Sequence, residues 1–131
     1  MLQRGQVLIL VGLGVIFWAA ALLFLRALPL ALTDPVWNPV NFATTVSVAW
    51  TSVYLIRRLA GLAPEQVMAG VGIVGAVAMT VDGAVLNWLP ATYGPDETVV
   101  RLAAAWLLWG YGLSLGIALL MAHGKKGAAE G

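Results

Sequence analysis

The chain has 131 residues, 61% of them hydrophobic and only 10% charged, with a net charge of +1 and a mean hydropathy of +0.91. An ordinary globular chain is roughly 45–50% apolar and about 25% charged, so this composition excludes a soluble fold with a polar skin and points to a bilayer as solvent. The near-neutral charge argues against a nucleic-acid partner, and the absence of cysteine removes disulfides, thiolate metal sites and cysteine nucleophiles.

Four apolar runs follow in chain order. Val7 to Leu25 carries no charge or amide side chain and, at helical rise, covers about 28 Å, the thickness of a hydrocarbon core. It outlasts the roughly 7–15 apolar residues of a secretion signal, so it is expected to stay as the first span. Val40 to Ile56 is more polar but uncharged, Val67 to Leu89 holds one charge, Asp82, and Val99 to Met121 has Arg101 near its start. Thr33-Asp34-Pro35 and Asn38-Pro39 punctuate the chain after the first run, and Pro64 suits a helix's first turn. Pro90 to Pro95 closes the third run, and Asp96, Glu97 and Thr98 supply capping chemistry for the fourth.

These signals predict an all-α fold: one transmembrane domain over 1–131, an up-down-up-down four-helix bundle with helices near 6–26, 40–57, 65–89 and 98–122, and a flexible cytoplasmic tail at 123–131. Short connections predict that sequential helices are antiparallel neighbours. Orientation follows from basic residues. Arg4, Arg57, Arg58, Lys125 and Lys126 fall on one side, Arg26 and Arg101 on the other, which places both termini in the cytoplasm of a bacterial inner membrane. Trp37, Trp88 and Tyr93 are expected at the outer interface and Tyr54 at the inner one.

Helices in lipid associate largely through small residues that permit close approach. Ala43, Ser47 and Thr51 form one such face on the second helix, Gly72 and Gly75 lead a stripe through Met79, Asp82 and Leu86 on the third, and Arg101, Ala105, Leu108 and Gly112 align on the fourth. Gly112-x-x-x-Gly116 is expected to serve internal packing rather than a homo-oligomer.

Asp82 is the one residue with a physical claim to a special role, because a carboxylate inside hydrocarbon must be paired, hydrated or protonated. The expected partner is Arg101, which enters from the same surface on the next helix and can snorkel toward it; Arg26 is the second choice, and Asn87 can add a hydrogen bond. This ion pair would staple helices together, the alternative being an outward-facing polar pocket that binds a ligand. Trp50, Trp106 and Trp109 read as packing or interface residues, and His123 without companions is not a metal site. The glycines make no phosphate cradle, so no catalytic residue, metal or cofactor is expected.

The second half, through Met79-Thr80-Val81-Asp82-Gly83, Leu89-Pro90 and Ala104-Ala105-Trp106-Leu107-Leu108-Trp109-Gly110-Tyr111-Gly112, resembles a family of small uncharacterised four-helix bacterial membrane proteins, a domain of unknown function. The resemblance implies a four-helix fold with an Asp in the third helix and no known activity. Small multidrug exporters share the length and helix count, but that family relies on a Glu in the first helix, and Val7 to Leu25 contains no acid. The expectation is therefore a non-enzymatic accessory or interaction subunit whose partners are the lipid bilayer and either another membrane protein or further copies of the chain in a homo-oligomer. The alternative is a small transporter or ligand-binding membrane protein using the Asp82 pocket.

Overall fold

The computed structural model describes the backbone of residues 2–130 and the side chains of residues 2–122. Regular structure among the described residues is entirely helical: α1 (Arg4–Ala27), a single short turn α2 (Leu30–Thr33), α3 (Trp37–Leu59), α4 (Val67–Trp88) and α5 (Glu97–Glu130). One-turn 3-10 segments at Pro64–Gln66 and Pro90–Thr92 lead into α4 and out of it. Three segments, Arg4–Ala27, Pro64–Trp88 and Glu97–Ala122, are long and apolar enough to cross a membrane. At 23 residues α3 matches them in length, and its amide and hydroxyl side chains set it apart in composition. The tail expected at 123–131 lies outside the residues whose side chains are described.

The helix ends follow local chemistry. Pro39 falls inside the first turn of α3, where a missing N–H is no loss. That helix therefore starts before Asn38-Pro39, after an Asp34 carboxylate that accepts from the Val36 and Trp37 amides at 2.8 and 3.1 Å. It ends on Gly61 with φ +62°: the Leu62 amide reaches Arg57 O and the Gly61 amide reaches Arg58 O, the paired bonds that satisfy a helix's last carbonyls when glycine takes the left-handed position. Asp96 caps α5 through the Val99 amide at 2.9 Å.

In space α1 packs on α4, α4 on α5, and α5 on α3, while α1 and α3 barely meet. Sequence neighbours α1 and α3 are thus not packing neighbours, contrary to the expectation from short connections. The cause is the close crossing of α1 on α4. A Cβ built on Gly14 would stand 2.7 Å from Val77 Cβ and 3.1 Å from Val74 O, a separation only glycine allows. Two apolar clusters result. One gathers Leu10, Leu13, Val53, Ile56, Val71 and Ile117; the other gathers Leu25, Leu32, Tyr93, Val99, Ala103 and Leu107.

Two of the expected small-residue faces point outward instead. Ala43, Ser47 and Thr51 are exposed, and the buried positions of α3 are Thr45, Ala49, Val53 and Ile56. An offset of two residues turns a face by about 200° on a helix. On α5, Arg101, Ala105, Leu108 and Gly112 are exposed and Gly116 is half-buried, while Ala103, Leu107 and Ala118 are buried. Cβ atoms built on Gly112 and Gly116 would meet nothing within 4 Å, so neither glycine mediates a close contact among the described residues. On α4, Gly75 is buried with Met79 against it, and Gly72 is half-buried beside open space.

Candidate functional site

Asp82 sits on the buried stripe of α4 with Gly75 and Ala78 and is 4% exposed. A buried carboxylate needs its lone pairs occupied, and two phenols occupy them. Tyr111 of α5 donates to Oδ2, and Tyr93 donates to Oδ1. The sequence delivers Tyr93 by a specific local device. Pro90 ends α4, the Thr92 and Tyr93 amides bond back to Leu89 O and Pro90 O at 3.0 Å, and this tight turn folds the chain over the end of the helix. The Tyr93 ring drops into the interior and becomes the largest fully buried side chain among the described residues. Its hydroxyl also accepts from Trp18 Nε1 of α1 at 3.1 Å. The result is a chain of donors, Trp18 to Tyr93 to Asp82, met from the other side by Tyr111, which fastens α1, α4 and α5 to the Pro90 turn. Burial, reinforced by the bond to Asp82, pushes the Tyr93 phenol above its ordinary range, so it stays protonated and donates.

The predicted ion pair does not form. Arg101 and Arg26 are exposed, and among the described residues neither reaches Asp82; Asn87 is exposed and takes no part. The reason is helical phase: Arg101 lies two residues from buried Val99 and Ala103, on the opposite side of α5, whereas Tyr111 comes round toward α4. Tyr93 likewise leaves the interface position expected for it, while Trp37 and Trp88 are exposed at 58% and 74%. The phenols carried a faint signal in the sequence. A tyrosine inside an apolar helix needs a partner for its hydroxyl, and Tyr111 is the only residue of that type within the α5 span.

A second polar cluster joins α3 to α5. The Thr45 hydroxyl donates to Asn41 O at 2.6 Å and accepts from Trp106 Nε1 at 2.8 Å, and Trp109 Nε1 donates to Phe42 O at 2.9 Å. Trp106 stacks on Phe24 with ring centres 5.1 Å apart, and Trp109 lies 5.8 Å from Phe42. Asn41 Nδ2 is buried without a hydrogen-bond partner among the described residues. Among those residues no three His, Cys, Asp or Glu side chains gather as metal ligands would. No family model, curated protein or solved structure matches the chain.

The chemistry open to this arrangement is narrow. Asp82 has both oxygens engaged by hydroxyls that are poor acids, and Tyr93 closes the approach from the Pro90 turn. A general base or nucleophile must reach the atom it serves, and this carboxylate is turned toward its own protein.

Proposed function

We propose that this is a four-helix, multi-pass protein of a bacterial inner membrane, with helices running up-down-up-down and both termini cytoplasmic, acting as a non-enzymatic accessory or interaction subunit. The observation that carries the reading is the closed Asp82 network: the one buried carboxylate among the described residues is spent on fastening α1, α4 and α5, not on a surface a substrate reaches. A membrane setting is supported by three helices of spanning length and composition and by an exterior of large apolar side chains. Leu8, Leu23, Leu108 and Leu120 are each at least 67% exposed. Most α3 hydroxyls do not argue against a fourth span, because Thr44, Thr45, Thr51 and Ser52 donate to carbonyls of their own helix. The likeness of the second half to small four-helix membrane proteins belongs to the same proposal, its motifs supplying Asp82 and Tyr111.

An interaction role is further supported by the open face of α5, where Leu108 and Leu120 are largely exposed and a Cβ built on Gly112 would meet nothing within 4 Å among the described residues. The test is recovery from native membranes. The protein is expected in the pellet after alkaline extraction and, in mild detergent, with a stoichiometric partner. Release into the alkaline supernatant would sink the membrane reading, and purification as a solitary monomer would sink the subunit reading.

A further inference from the structure

Because α1 and α3 barely touch, the space between them is unfilled and forms a cavity of about 340 Å³ reaching inward to α4 and α5. Beyond the cavity the two helices are tied together at both ends. At one end Gln6 Nε2 of α1 donates to Ala60 O and Gly61 O beyond α3, at 3.3 and 3.1 Å. At the other, Asn38 Nδ2 of α3 donates to Leu32 O of α2 at 2.7 Å, within the connection from α1 to α3. Between these clasps the rims are Phe17, Ala20 and Phe24 on α1, facing Val48 and Ser52 on α3. The opening is therefore a window in the side of the molecule, facing the bilayer if the helices span it.

The wall is hydrocarbon in its chemistry even where its residue names are polar. Thr45 and Ser52 donate to carbonyls of α3, Ser114 donates to Gly110 O, Tyr111 donates to Asp82, and Trp106 Nε1 is taken by Thr45. Every donor that lines the cavity is thus already spent. A water or polar ligand needs two to four partners, and this wall offers it no free donor, only lone pairs on hydroxyls already bonded elsewhere. A helix from a second copy does not fit either: a helix with its side chains is about 10–12 Å across, and a window clasped at both ends does not admit one along its length. A flexible hydrocarbon chain does fit. On α3 the lining runs from Thr45 to Ile56, about 16 Å at helical rise, and the volume is within the usual range of small-ligand pockets, about 300–1,000 Å³.

We propose that this cavity is a binding site for one acyl chain of a bilayer lipid, admitted sideways between α1 and α3. The site rests on the transmembrane reading, since only a membrane-embedded window meets acyl chains. It gives that reading a ligand class, and Asp82 itself is not among the lining residues.

The experiment places the full chain in phosphatidylcholine nanodiscs and releases it for native mass spectrometry. One phosphatidylcholine is expected to stay bound to the wild-type protein after the annular lipids are stripped. Ser52→Phe and Ala20→Phe, which fill the window from opposite rims, should each lose it. Ser47→Phe, on the exposed face of the same helix, should keep it. Ala20 is itself exposed, so its substitution leaves the fold intact even where Ser52→Phe does not. Wild-type protein emerging bare, or retention by both window variants, would overturn the site. Failure of the protein to enter nanodiscs at all would instead overturn the transmembrane reading on which it stands.

Discussion

At Asp82 two phenols stand where an arginine is the expected partner, and the two kinds of partner differ in what each asks of the helix. An ion pair in hydrocarbon must recover the desolvation of two charges, whereas phenols bring only one charge inside and still fill both oxygens. The structure takes the second course, and it implies a distinctive pattern of mutational effects. Tyr93→Phe leaves Trp18 Nε1 and one Asp82 oxygen without partners, and a buried unsatisfied group costs about 1–3 kcal/mol. Arg101→Ala, on the exposed face, is expected to change stability by less than about 0.5 kcal/mol. Thermal unfolding in detergent measures both. A double-mutant cycle should show coupling of Asp82 with Tyr111 and none with Arg101; coupling with Arg101 would restore the ion pair.

At the level of helices, small residues alone did not reveal which face packs. Ala43, Ser47 and Thr51 on α3 recur as regularly as Thr45, Ala49 and Val53, and lipid accepts either set. The choice falls to specific contacts, here the Thr45 hydroxyl against Trp106 and the Trp109 indole against Phe42. The α1–α4 crossing is likewise fixed by one residue, Gly14. Gly14→Ala forces a methyl against a β-branched stem and a backbone carbonyl, and such overpacking costs about 1–3 kcal/mol. Ser47→Leu, facing outward, is expected to leave the unfolding temperature in detergent unchanged. A loss from Ser47→Leu equal to that from Gly14→Ala would mean that the exposed face of α3 is buried against something.

For the whole molecule the proposed topology rests on the distribution of basic residues, which puts five on one side and two on the other. Reporter fusions at residue 131 and in the loop at Tyr93 are expected to report cytoplasm and exterior respectively. Replacing Arg57 and Arg58 by Gln leaves three against two, and the same fusions should then report mixed orientations. An unmixed signal from that variant would mean that orientation is set by something other than these residues.

The sequence by itself determined the helical class and the long apolar segments, because a run of apolar side chains of spanning length has few other ways to satisfy its backbone. It also marked Asp82 as the residue demanding an account, since a lone acid in an apolar helix is costly anywhere. It did not reveal the partners Trp18, Tyr93 and Tyr111, which are 64, 11 and 29 positions away and meet Asp82 only once α1, α4 and α5 have packed. The cavity was equally invisible, being no residue's property but the gap between two helices that adjoin in sequence and not in space. Periodicity fixes what lies on one helix; which faces meet depends on a close approach at Gly14 and a few directional hydrogen bonds, and those exist only in the folded chain.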